Sequence, residues 1–198
     1  MPRISAGTVA EHVAAQESAI LAAAARLFVE RGYAATTLAD IADEVGLKRN
    51  SLYRYFPDKE EILLRWFRVE LAPLGARSAE LLTADRPPLE RIAAWVDLQL
   101  DYVADPAHEL GAQLMAEPVA LSGAARAELA DGHRRLGDLL ARAVAEATGR
   151  RRTAELDAAL VMAMVNEVAR RAAGARTTRA ERRRLHDAVR AVLEPAPR

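Results

Sequence analysis

The sequence predicts an all-α protein of about nine helices, with a three-helix N-terminal unit followed by a larger helical region. Three observations carry this. Ala, Leu, Glu and Arg dominate while aromatics make up only 5% of the chain, a composition of helix formers rather than of strands. Apolar residues return at i, i+3, i+4 and i+7 in one segment after another. Those segments are bounded by residues that start and stop helices: Thr37, Asp58 and Thr178 at beginnings, Gly32, Gly46 and Gly149 at ends. No stretch reads as a strand, and there is no internal repeat.

Residues 1–8 carry no helical pattern. A first helix is expected from about Val9 or Ala14 to Arg31, with Ile20, Ala24, Leu27 and Phe28 on its buried stripe. Over 37–45, Leu38, Ile41, Ala42 and Val45 share one apolar face. Thr37 caps this helix, and Asp40 at its third position favours the positive end. Gly46 stops it, where left-handed backbone costs least. A second short helix then buries Leu52 and Phe56 at i, i+4.

After Pro57, Asp58 and Glu61 frame the start of the next helix as a capping-box-like pair, and Ile62, Leu63, Trp66, Phe67 and Val69 line it. Pro73 and Gly75 are expected to end or kink it near residue 72, because proline inside a helix costs about 3 kcal/mol. A short helix over 76–83 follows. Further helices are expected over 89–104, 106–116, 122–147, 153–173 and 178–193, the last opened by a full capping box from Thr178 to Glu181. The 153–173 helix is apolar on more than one side: Leu156, Leu160, Met164 and Val168 on one, Val161 and Val165 on another, with Met162 adding width. Such a width suits a helix that packs both its own core and a partner subunit.

The two short helices around Gly46 make a helix-turn-helix over 37–56, whose second helix is the one suited to a major groove. Outward on that helix stand Lys48, Arg49, Asn50, Ser51, Tyr53, Arg54 and Tyr55, cationic and hydrogen-bonding groups that match phosphates and base edges. The whole chain has 28 basic and 28 acidic side chains, so a nucleic-acid binder of this composition must concentrate its cations locally. The concentration is modest. From Lys48 to Arg68 there are six Lys or Arg against three acids, and Asp40, Asp43 and Glu44 on the preceding helix offset part of it. Lys48 is also a poor N-cap, forfeiting about 1 kcal/mol of capping and placing a cation at a positive helix end.

Ile20, Ala23-Ala24, Leu27-Phe28, Glu30, Gly32-Tyr33, Thr36-Thr37, Ile41-Ala42, Gly46, Leu52-Tyr53, Tyr55-Phe56 and Lys59-Glu60 stand at the positions of a known DNA-binding signature. Through them, residues 14–65 resemble the tetracycline-repressor (TetR) family. The resemblance implies a DNA-binding domain over 9–57 and a helical effector-binding and dimerisation domain over 58–198. It implies that Tyr53, Tyr55 and Lys59 meet phosphates and that Thr37 meets one at a helix N-terminus. It puts Trp66, Phe67, Trp95, Gln99, Tyr102, Met115, Met162 and Asn166 on helices that surround a ligand cavity. Asn166 is the most suggestive of these, since a buried amide needs partners. The family pattern further implies a homodimer through the 153–173 and 178–193 helices, bound to palindromic double-stranded operator DNA and released by a small-molecule effector. Ala39 stands where the family often has a cation, which removes one expected contact. The alternative is a DNA-binding adaptor without a small-molecule ligand, whose C-terminal domain docks a protein partner.

Other classes find little support. There is no cysteine, hence no thiol chemistry or disulfide. His12, His108, His133 and His186 are scattered, without an i, i+4 pair that would suggest a metal. No Gly-rich phosphate loop or nucleophile elbow occurs, so neither an enzyme nor a bound cofactor is expected. The run Arg176–Arg184 reads as a solvated helix N-terminus. No apolar run reaches the roughly 18 residues needed to span a bilayer, and the N-terminus lacks an apolar signal segment. A cytoplasmic protein with no membrane partner is the expectation.

Overall fold

The computed structural model describes residues 6–105, 121–172 and 176–194. Among the described residues there is no strand, and the chain forms eight helices: α1 (Ala6–Arg31), α2 (Leu38–Glu44), α3 (Arg49–Leu52), α4 (Lys59–Thr83), α5 (Pro88–Ala104), α6 (Gly123–Thr148), α7 (Ala154–Ala172) and α8 (Arg179–Leu193). The all-α expectation therefore holds. The chain divides into two compact units, and the division falls inside α4, between Val69 and Glu70. The expected 106–116 helix, and Met115 with it, lies outside the described residues. None of the described helices is long and apolar enough to cross a membrane.

The first unit buries one stripe from each of its helices: Ile20, Ala24, Leu27 and Phe28 from α1, Ile41 and Ala42 from α2, Leu52 and Phe56 around α3, and Ile62, Leu63 and Trp66 from α4. Phe28 and Tyr33 pack ring against ring at 5.1 Å, which brings the chain back across the turn after α1. Thr36 is fully buried, and its hydroxyl reaches the carbonyls of Leu27 (3.2 Å) and Gly32 (2.9 Å). α2 then starts on a complete capping box between Thr37 and Asp40. It ends in a Schellman motif: Leu47 N–H donates to the Ala42 carbonyl at 2.8 Å and Gly46 N–H to that of Asp43 at 3.1 Å, with Gly46 at φ +67°.

The second unit packs α5, α6, α7 and α8 around a single apolar cluster. Ile92, Trp95, Val96 and Leu100 come from α5, Leu140 and Val144 from α6, Ala158, Val161 and Val165 from α7, and Leu185, Val189 and Leu193 from α8. A polar seam runs beside it. Arg182 of α8 reaches Asp101 (2.5 Å) and Asp97 (3.6 Å) of α5, and His186 meets Asp97 at 3.0 Å. Arg91, almost fully buried, donates to the Leu82 carbonyl at 2.7 Å and pairs with Glu146. It thus occupies the carbonyl end of α4, where a cation is favoured.

Two expectations need correcting. α4 does not stop at residue 72: it passes through Pro73 to Thr83. The carbonyl that Pro73 leaves without a donor belongs to Val69, a residue that is 51% exposed. Beyond it, Ser78 and Leu82 are buried and hold the last turns. α1 begins at Ala6, ahead of the expected start, although Val9 and Val13 remain exposed. On α7 Val161 and Val165 enter the core, while Leu156 and Leu160 on another side are 62% and 46% exposed.

Gly46 gives a direct stability test. A Cβ there meets no atom within 4 Å, so Gly46→Ala should cost only the backbone penalty of about 1–2 kcal/mol. The urea midpoint of unfolding reads this, and Gly46→Asn should lose less. A loss well above that range would mean the turn is held by packing rather than by backbone conformation.

Candidate nucleic-acid interface

α3 is a single turn of four residues, continued to Phe56 by turn hydrogen bonds such as Tyr55 N–H to Leu52 (2.9 Å) and Phe56 N–H to Leu52 (3.0 Å). Its buried side is Leu52 and Phe56. Its outer side presents Lys48, Arg49, Asn50, Tyr53 and Arg54 as exposed residues, with Ser51 and Tyr55 half-buried beside them. Lys48 occupies the N-cap in extended backbone and makes no side-chain cap bond, since an ammonium has no acceptor for the helix's free N–H groups. Arg49 donates to the Tyr53 hydroxyl at 3.1 Å, and its guanidinium lies 5.7 Å from that ring's centre. The pair sits at i, i+4 and leaves the Tyr53 O–H proton free to point outward. Lys48, Arg49 and Arg54 pair with no carboxylate among the described residues.

Two of the residues expected to meet phosphates have hydrogen-bond partners inside the protein. The Thr37 hydroxyl donates to the Asp40 carboxylate at 2.6 Å and accepts from Asp40 N–H at 3.2 Å, while Thr37 N–H donates to the same carboxylate at 2.8 Å. These hydrogen bonds, helped by Arg31, hold the Asp40 carboxyl below its ordinary pKa. An anion already occupies the first turn of α2. Lys59 is likewise engaged: its ammonium donates to the carbonyls of Tyr33 (2.6 Å), Thr36 (2.9 Å) and Ala34 (3.2 Å) and stands 4.5 Å from the Tyr33 ring centre. Burial pushes its pKa down. Burial, with Glu60 and Asp58 nearby, raises the Tyr33 phenol to about 12.

Arg26 and Arg31 of α1 reach the acids of α2, and their sequence positions did not announce it. Arg26 pairs with Glu44 and Arg31 with Asp40 at 3.6 Å, which offsets two of the three α2 acids that weaken the local positive charge. The separation along the chain, eighteen residues for Arg26 and Glu44, has no sequence signature.

The effector candidates are distributed over both units. Trp66 and Phe67 lie in the first, edge to face at 5.4 Å. In the second, Trp95, Gln99 and Tyr102 follow at i, i+4 and i+7 on α5. Trp95 is 1% exposed, and its indole N–H has no acceptor among the described residues. Gln99 donates to the buried Ser78 hydroxyl at 3.1 Å, and burial, reinforced by Glu70, raises the Tyr102 phenol's pKa. Met162 is partly buried against the same core. Asn166 is exposed on α7, so the buried amide expected there is absent from the single chain. An open cleft of about 770 Å³ lies elsewhere, between the end of α5 and the start of α8, lined by Asp101, Ala104, Asp105, Arg176, Thr177, Arg179 and Arg182. Of the arginines, Arg182 is held by Asp101 and by Thr177, the latter at 2.8 Å.

Comparison with known proteins agrees with this geometry. Residues 20–65 match the family described as bacterial regulatory proteins, tetR family. The chain is 40% identical over 84 residues to the HTH-type transcriptional repressor KstR2 of Mycobacterium tuberculosis, a match covering 42% of each protein. It is 34% identical over 97 residues to the HTH-type transcriptional regulator RutR of Escherichia coli, covering 47% of this chain and 43% of RutR. The chain thus matches less than half the length of each of these relatives. The fold extends further. The TetR family regulator PfmR from Thermus thermophilus superposes over 90% of this chain and 96% of its own, with a TM-score of 0.72 and 24% identity. AibR, solved with isovaleryl coenzyme A and operator DNA, superposes over 87% and 95%, with a TM-score of 0.71 and 21% identity.

The half-buried Tyr33 phenol sets an alkaline dependence whose sign is definite. Because its folded pKa is raised, the stability it contributes is complete below the ordinary tyrosine value of about 10 and is lost as pH rises through about 12. Tyr33→Phe should therefore lose less stability than the parent across that interval, as read by urea midpoints at stepped pH. Coincident pH profiles would show that the phenol is not desolvated.

Proposed function

We propose that this chain, whose residues 20–65 match the tetR family of bacterial regulatory proteins, is a transcriptional repressor that binds palindromic duplex DNA as a homodimer and leaves it on binding a small molecule. One observation supports this most: the cations of the 48–55 segment are exposed and have no carboxylate partner among the described residues, while two of the α2 acids are paired with α1 arginines. Lys48, Arg54 and the Arg49–Tyr53 pair supply phosphate contacts, which position the protein, and Asn50 and Ser51 face base edges, which carry sequence information. Two copies reach half-sites about 34–36 Å apart, one turn of DNA.

The dimer forms through α7 and α8. Leu156 and Leu160, one turn apart on α7, are the apolar side chains that a single copy leaves in water, and a partner copy covers them with the broad stripe's second side. The effector lies along Trp95, Gln99 and Tyr102 in the second unit. A ligand with a hydrogen-bond acceptor satisfies the Trp95 indole N–H, which is costly to leave unmet in an apolar core. The carbonyl of an acyl-coenzyme A thioester, the class of ligand in the AibR structure, is one such acceptor. Release requires that this ligand bind the DNA-incompetent state more tightly, and α4, which contributes residues to both units, carries the difference to the reading segment. The protein acts on DNA in the cytoplasm and performs no catalysis.

The test is selection of randomised duplex DNA, followed by anisotropy titration at several salt concentrations. A palindromic winner is expected, and Arg54→Ala should lower the slope of log affinity against log salt by about 1. Weak binding without sequence preference would overturn the proposal. In the same assay Leu160→Asp should give a monomer by light scattering and lose about 100-fold or more in operator affinity. A Leu160→Asp protein that remains a tight-binding dimer would remove α7 from the interface.

A further inference from the structure

Lys59 stands at the first position of α4, where the expectation was a side chain against phosphate. Its surroundings give it a different task. An ammonium group has three N–H donors and no acceptor, and here each donor has a backbone carbonyl: Tyr33, Ala34 and Thr36. All three belong to the turn that delivers the chain into α2. The Tyr33 ring covers the remaining approach at 4.5 Å, and burial lowers the ammonium's affinity for its proton. A cation with its donors committed in this way has none to offer a phosphate without abandoning the turn.

We infer that Lys59 is a positioning residue for the DNA-reading unit: its ammonium clamps the 33–36 turn to the start of α4 and so sets where α2 and α3 present their outward face. The clamp meets a second anchor from the opposite side, since the Thr36 hydroxyl bonds to Leu27 and Gly32 of the α1 end. Thr37, the next residue, is the N-cap of α2. Three elements converge on four consecutive residues. A compact point charge with three radially disposed donors fills this role, and the planar fork of arginine does not reproduce it. The inference rests on the operator-binding proposal for its functional consequence, but not for the clamp itself.

Two substitutions separate positioning from direct phosphate contact. Lys59→Arg keeps the charge and loses the three-carbonyl geometry; Lys59→Gln loses both. If the clamp positions the reading face, both folded variants should lose about tenfold or more in operator affinity, with the salt slope of the parent retained in each. Parent-like binding by Lys59→Arg together with a slope lower by about 1 in Lys59→Gln would overturn the inference in favour of a phosphate contact. Parent-like binding by both would also overturn it, because a purely structural lysine alters the melting temperature and leaves affinity unchanged. The clamp is also testable without DNA and without a variant. In the unmutated protein the Lys59 ammonium protons should exchange slowly enough to be seen by ¹⁵N-detected spectroscopy at neutral pH, unlike those of solvated lysines. Rapid exchange there would refute the clamp even if the variants failed to fold, and would do so whether or not the parent selected an operator.

Discussion

α2 has seven residues and α3 four, well below the roughly 12–15 at which an isolated helix becomes even marginally stable in water. Neither exists by virtue of its own hydrogen bonds. Their geometry depends on what holds their ends and what buries their inner faces. The Thr37–Asp40 box and the Schellman turn at Gly46 terminate α2; Ile41, Ala42, Leu52 and Phe56 bury the inner side; and the Thr36 and Lys59 contacts secure the approach. A reading segment built this way is as rigid as its anchors. The outer residues then carry little of the segment's stability, and an uncapped Lys48 is tolerated at the start of α3.

Charge is arranged with similar economy. A chain of zero net charge offers no long-range attraction to DNA, so the local field decides. α2 carries three acids next to the reading segment, an arrangement that weakens phosphate binding if those acids stand alone. Arg26 and Arg31 reduce that penalty. As exposed pairs they contribute little to stability, and their value lies in what they neutralise. Asp40 has a second role, since its carboxylate serves the α2 cap and occupies the helix end that an incoming phosphate would otherwise use.

The second unit separates apolar from polar contacts across α5. One side of α5 enters the core through Ile92, Trp95, Val96 and Leu100; the other meets α8 through Asp97 and Asp101. The same helix can thereby carry both a structural seam and the Trp95–Gln99–Tyr102 stripe. α7 divides its faces in a different manner. Small and β-branched residues (Ala158, Val161, Val165) enter the core, which allows close helix approach, while the larger Leu156 and Leu160 are left outward.

Periodicity and caps in the sequence determined the helices, their order and the helix-turn-helix, because those signals are local: an apolar stripe, a Thr–Asp or Thr–Glu box, a glycine at a left-handed position. They also determined which of residues 48–55 face outward, since Leu52 and Phe56 define the inner side. Pro73 misled, because the cost of a proline depends on whether the freed carbonyl reaches water, and that is settled by exposure rather than by residue type. Tertiary structure alone decided the partners of side chains distant in sequence. Lys59 reaches carbonyls more than twenty residues away, Arg26 finds Glu44, and Trp95 is left without an acceptor among the described residues. A backbone carbonyl carries no mark in the sequence, so a lysine that serves a turn and a lysine that awaits a phosphate are spelled alike until the chain has folded around one of them.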